Sequence, residues 1–140
     1  VIVDTSALIA ILYGEQEAPI FAEIIHKADV CRLSVASYVE LTIVVEKQLG
    51  PEGTRHAENF VRRAGIQIEP VTLEQGLIAR QAFFDFGKGR HRAALNYGDC
   101  FPYALAKAVD EPLLFKGNDF SQTDVESALP RANPPVTTRP

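Results

Sequence analysis

The chain has 140 residues, a size that suits one domain and buries about two thirds of its unfolded surface. Hydrophobic residues make up 46% and charged residues 23%, as in an ordinary globular protein, and no apolar run approaches the roughly 20 residues of a membrane span. The net charge of −4 argues against a general nucleic-acid coat protein but leaves room for a local basic patch and a basic protein partner.

In chain order, residues 1–4 read as a short buried strand. Thr5-Ser6 offer hydroxyl caps to a helix over Ala7–Leu12, which Gly14 breaks. Residues 15–28 read as an amphipathic helix with Ile20, Phe21, Ile24 and Ile25 on its apolar face. A strand over 30–34 leads into a helix over 35–49, stopped at Gly50-Pro51. A more polar helix over 53–65, a strand over Ile66–Val71 and a helix over 73–86 follow. A helix over 98–109 comes after a basic loop and carries Asp99; if Asp99 lies at its N-cap, Pro102 falls in its first turn. Leu113–Phe115 reads as a strand and 124–127 as a short edge strand. Residues 130–140, with four prolines, read as a disordered tail, leaving 1–129 as the domain. Strands alternating with helices imply a mostly parallel sheet covered on both faces, with ligands at the carboxyl ends of its strands.

The chain opens on a strand-like segment without a basic leader, and its cysteines, Cys31 and Cys100, belong to no CxxC or Cys/His cluster. Zinc is therefore not indicated, and a reducing cytoplasm is the expected compartment.

Four acids stand beside or inside apolar segments: Asp4 after Val1-Ile2-Val3, Glu40 within Val39–Val45, Asp99 before Cys100-Phe101, and Asp119 a turn after Leu113-Leu114-Phe115. Carboxylates near a core lose solvation and repel one another, and a hard divalent cation is the usual reason for gathering them. Taken singly, Asp4 and Asp99 also read as helix caps and Asp119 as turn chemistry, with Asp124 a competitor for the fourth position. Glu40 is harder to explain without a partner or a metal. The loop Gly87-Lys88-Gly89-Arg90-His91-Arg92 reads either as a solvated loop or as a clamp for backbone phosphates.

These segments resemble a known family. Val1-Ile2-Val3-Asp4-Thr5-Ser6-Ala7-Leu8, Ser37-Tyr38-Val39-Glu40, Leu95-Asn96-Tyr97-Gly98-Asp99-Cys100-Phe101 and Leu113–Phe120 resemble, in order, the motifs of PIN-domain ribonucleases. The 87–92 loop with the Asn-Tyr-Gly-Asp-Cys block resembles the VapC toxins of bacterial toxin–antitoxin pairs. The resemblance implies a three-layer α/β/α sandwich and an endoribonuclease dependent on Mg²⁺ or Mn²⁺. It makes Asp4, Asp99 and Glu40 the metal-holding acids, with Asp119 at the last, more variable acidic position. Gly117 departs from it, because many members carry an acid there. Ser6 matches a supporting hydroxyl, and Lys88, Arg90 and Arg92 would meet the RNA. A cognate antitoxin and a homodimer are implied as partners. The competing readings are a non-catalytic RNA- or antitoxin-binding module of the same fold, and an α/β phosphoryl-transfer domain. A haloacid-dehalogenase-type phosphatase would need an aspartate where this chain has Ser6.

Overall fold

The computed structural model describes residues 1–130, so the proline-rich tail lies, from residue 131 on, outside the described residues. Four strands form one parallel sheet in the order β3-β2-β1-β4: β1 is Ile2–Val3, β2 Arg32–Ser34, β3 Gln67–Glu69 and β4 Leu113–Leu114. The helices are α1 (Thr5–Leu12), α2 (Ala18–Lys27), α3 (Val35–Arg63), α4 (Leu73–Phe86) and α5 (Tyr97–Val109).

Successive strand residues face opposite sides of a sheet, and here the two sides build separate cores. Val3, Leu33 and Leu114 pack with residues of α1, α2 and α3. Ile2, Leu113 and Phe115 pack with Ala79, Ala82, Tyr103, Ala104 and Leu105 of α4 and α5. The expected three-layer α/β/α sandwich follows from that alternation. The two-residue strands β1 and β4 are wholly apolar because both of their faces are covered.

Several expected boundaries move for local reasons. Of the two caps open to α1, Asp4 serves and Thr5-Ser6 do not: the Asp4 carboxylate accepts from the Ser6 backbone N–H at 3.0 Å. The second helix starts at Ala18, not residue 15, with Pro19 in the first turn where a missing N–H costs nothing. Helix α3 runs to Arg63, but Gly50 (φ 72°, ψ −164°) interrupts it before Pro51, so the expected stop is a kink between two helical halves. Asp99 is not the cap of α5. Asn96 is, and Asp99 sits three residues on, the two exchanging side-chain-to-backbone bonds of 3.0 Å each way. Pro102 therefore lies inside α5, past its first turn. The expected edge strand over 124–127 reduces to one bridge, Leu113 to Ser127.

The seven-residue stretch Val39–Val45 is not all core. Leu41 and Val45 are buried, whereas Val39 and Ile43 are about half exposed and Glu40 is partly exposed. Glu40 therefore sits at the margin of the buried face of α3, not in the middle of it.

Candidate active site

The chain winds outward from β1 through β2 to β3, then returns to place β4 on the other side of β1. The carboxyl ends of β1 and β4 thus flank a switch point, where crevices form in open α/β sheets. Asp4 is the residue after β1, and its backbone N–H donates to Leu114 O of β4 at 2.9 Å.

Asp4 is 6% exposed. Burial pushes its carboxyl up to about 6; two bonds from Ser6 pull it down, and the charges of Asp99 and Glu40 push it further up. The Ser6 bonds come from the backbone N–H at 3.0 Å and from the hydroxyl at 2.5 Å, both to Oδ2. Ser6 Oγ in turn accepts the Lys116 backbone N–H at 3.0 Å, which ties the end of β4 to the end of β1. Lys116 Nζ is occupied by Glu15 and Glu17.

Glu40 reaches the site from α3. That helix is held by its Ser34 cap, which accepts from Ala36 N–H, and by Thr5 Oγ1 donating to Ser37 O at 3.2 Å. Asp99 comes from the first turn of α5, where it accepts the Asn96 N–H through Oδ2. Burial raises the Asp99 carboxyl, the Asn96 bond opposes that, and the charges of Glu40 and Asp119 raise it further. The structure thus brings all four acids singled out in the sequence into one electrostatic neighbourhood. Asp119 is placed there by the turn after β4. In that turn Gly117 has φ 98°, a conformation that suits glycine and strains an acidic residue.

Asp124 is elsewhere. It accepts from Tyr103 Oη at 2.6 Å and from Lys107 Nζ at 3.0 Å. None of the basic loop's cations offsets the fields at Asp4 or Asp99. The Arg90 guanidinium lies over the Phe83 and Phe84 rings at 5.8 and 5.4 Å, and its Nε donates to Phe84 O. His91 packs edge-on against Phe86 and accepts the Ala93 N–H, so it is a loop brace. Lys88 and Arg92 are exposed. Lys88 borders an apolar cavity of about 500 Å³ between α4 and α5, shared with Phe83, Tyr97 and Phe101.

Among the described residues, no basic side chain forms an ion pair with Asp4, Glu40, Asp99 or Asp119. Nor do any three acidic, histidine or cysteine side chains close into a ready-made cation cluster. The donor set nevertheless fits Mg²⁺ or Mn²⁺: hard carboxylate oxygens, with one or two direct ligands sufficing because Mg²⁺ keeps several of its waters. The bonds to Asp4 and Asp99 use Oδ2 of each and leave Oδ1 uncommitted.

Two contributors escaped the sequence reading. Asn96 is the cap that orients Asp99; the Asn-x-x-Asp spacing was the available signal. At Gly98 an added Cβ would overlap Glu40 Oε2 and stand 3.1 Å from Glu40 Cδ, a contact invisible without the fold.

An α/β/α sandwich with acids gathered at its switch point is the architecture of a PIN-domain protein, and the PIN domain family model matches residues 1–126. Ribonuclease VapC28 of Mycobacterium tuberculosis is 50% identical over 131 residues, covering 93% of this chain and 98% of the relative. A VapC ribonuclease of Mycolicibacterium smegmatis is 47% identical over 124 residues, covering 89% and 96%. Among solved structures, VapC20 of M. tuberculosis, a sarcin–ricin-loop-cleaving toxin, superposes with a TM-score of 0.72 over 89% of this chain and 95% of that one. Its 16% identity speaks for the fold alone. VapBC2 of Rickettsia felis, solved with a promoter DNA fragment, gives a TM-score of 0.70 at 14% identity, covering 90% and 94%. The chain belongs to the VapC ribonucleases of the PIN-domain family.

Proposed function

We propose that the chain is the toxin of a toxin–antitoxin pair and cuts RNA through Asp4, Glu40 and Asp99, with Asp119 as a fourth acid, in a domain spanning 1–129. The observation that carries the site assignment is the convergence of four carboxylates, with no compensating cation among the described residues, at the sheet's switch point. Burial and mutual repulsion hold Asp4 and Asp99 above the ordinary carboxylate range. A protein keeps such costly charge where it has a use for it. Membership of the VapC ribonucleases supports endoribonuclease activity.

Asp4, Asp99 and Glu40 would hold Mg²⁺, or Mn²⁺ in its place. The bound cation would supply a water of lowered pKa and neutralise charge developing on the phosphodiester. Ser6 holds Asp4 in its rotamer, and the Asn96 backbone N–H does the same for Asp99. The water's oxygen would bond to phosphorus as the P–O3′ bond breaks; of its two protons, one would leave to solvent as the nucleophile forms and the other would stay on the new phosphate until it ionises, while the 3′-oxygen would take up a proton from solvent. The products are a 3′-hydroxyl and a 5′-phosphate. Lys88, Arg90 and Arg92 anchor flanking phosphates, Arg90 after leaving its aromatic seat.

An antitoxin is the protein partner, a reading supported by the family and by the structural likeness to toxin–antitoxin complexes. Uncompensated carboxylates suit a basic residue supplied by that partner. A homodimer is supported by exposed apolar side chains on α3 and α4, among them Val39, Ile43, Leu73 and Leu77. Among the described residues no helix is long and apolar enough to cross a membrane, and the cytoplasm is the proposed location.

The test is incubation of the purified chain with total RNA in Mg²⁺, Mn²⁺ or EDTA, beside Asp4→Asn and Asp99→Asn. EDTA-sensitive fragments absent from both variants are expected. Folded, antitoxin-free protein that cuts nothing in either metal would instead favour a binding module.

A further inference from the structure

We propose that Gly98 is a positioning residue: the absence of a side chain there lets the Glu40 carboxylate lie against the first turn of α5, beside Asp99. This rests on the reading of Asp4, Glu40 and Asp99 as the metal-holding acids.

Gly98 is the second residue of α5, and it is not among the residues with positive φ. Backbone conformation therefore does not call for glycine, and helix propensity opposes it. Space calls for it. The overlap an added Cβ would make is with Glu40, a residue of another helix on a different stretch of chain. Other helical glycines behave differently. Gly76 faces open space, and a Cβ at Gly53 would press on Leu49 and Val45, just across the Gly50 kink in α3.

The neighbour that must give way is the far end of a flexible side chain. Asn96 Oδ1, which caps the helix, would be 3.5 Å from the new Cβ, an ordinary contact. Alanine at position 98 thus leaves the helix and its cap intact and evicts the Glu40 carboxylate. The consequence falls on the site and not on the fold. As a positioning residue, Gly98 acts through Glu40 alone.

The experiment compares Gly98→Ala, Glu40→Ala, Glu40→Asp and the doubles Gly98→Ala/Glu40→Ala and Gly98→Ala/Glu40→Asp. It measures thermal midpoint, Mn²⁺ affinity by calorimetry without RNA, and kcat/KM for RNA cleavage. Gly98→Ala is expected to melt no lower than the natural chain, to bind Mn²⁺ more weakly, and to lose about 100-fold in kcat/KM, the usual scale for a group misplaced by an ångström. It should cost nothing further once Glu40 is alanine. Shortening Glu40 to aspartate, which retracts the carboxylate, should recover part of the loss caused by Gly98→Ala. An unfolded Gly98→Ala, natural Mn²⁺ affinity and cleavage in it, or a loss that persists in the Glu40→Ala background would each overturn the proposal. Full cleavage by Glu40→Ala would bring down the assignment of Glu40 as well. An inactive Glu40→Ala beside a normal Gly98→Ala would remove the role of Gly98 alone.

Discussion

The Ser6 hydroxyl donates to Asp4 Oδ2 at 2.5 Å while accepting the Lys116 backbone N–H at 3.0 Å. One side chain thus joins the ends of β1 and β4 and favours the charged form of the most buried acid in the site. Ser6→Ala removes the hydroxyl bond and keeps the backbone one. The Asp4 carboxyl should then titrate higher, and the acid limb of the pH–rate profile should move to higher pH. Cleavage at pH 6 should fall more than cleavage at pH 8. Equal loss at both pH values would mean that Ser6 works by another route.

The folded-state value for Asp4, about 6 against an ordinary 3.8, fixes the sign of a stability effect. Between those values the folded chain binds more protons than the unfolded chain, so stability falls as pH rises through the window. Above it, the buried charge costs about 3 kcal/mol. In EDTA at pH 7.5, Asp4→Asn should melt several degrees above the natural chain although it cannot cleave, and the gap should close near pH 4. Because a cation must displace that proton, Mn²⁺ affinity should fall about tenfold per pH unit below 6. Thermal melts and calorimetry across pH 4 to 8 check both.

Asp119 and Asp124 part company in the structure. Asp124 is committed to Tyr103 and Lys107, whereas Asp119 adds to the field at Asp99. Asp124→Ala should cleave RNA within about twofold of the natural chain and lose about 1–2 kcal/mol of stability, chiefly by orphaning the Tyr103 hydroxyl. Asp119→Asn should show the reverse: weakened cleavage and an unchanged denaturant midpoint.

The basic loop can be tested through salt. Lys88 and Arg92 are exposed, and Arg90 rests on Phe83 and Phe84. If each cation meets one phosphate of single-stranded RNA, its removal lowers the slope of log affinity against log salt by about 0.7. Lys88→Ala and Arg92→Ala should do so with no change in melting. Arg90→Ala should also lower the thermal midpoint, because it uncovers two rings. Slopes unchanged in all three would place RNA elsewhere.

Much of this was legible along the chain. Apolar runs with helical spacing between them gave the alternation of strands and helices, and Gly50-Pro51 marked the break in α3. The acids stood out because charge beside apolar residues is expensive wherever the chain folds. Caps were less legible. Asp4, Ser6, Asn96 and Asp99 all have short polar side chains able to bond a nearby N–H, and which of them caps depends on φ and ψ at a single residue. The exposure of Val39 and Ile43 was hidden for another reason: an apolar run does not state which of its faces meets another layer.

The sequence by itself determined the class of fold and the identity of the acids, because periodicity and desolvation are properties of residues and their near neighbours. Only the tertiary structure decided which acids share a field. The order β3-β2-β1-β4 brings the ends of β1 and β4 together, so Asp119 adds to the field at Asp99 while Asp124, five residues on, turns to Tyr103. It also decided why residue 98 has no side chain. That reason is a carboxylate on another helix, and steric exclusion acts between atoms that meet in space, whatever their separation along the chain.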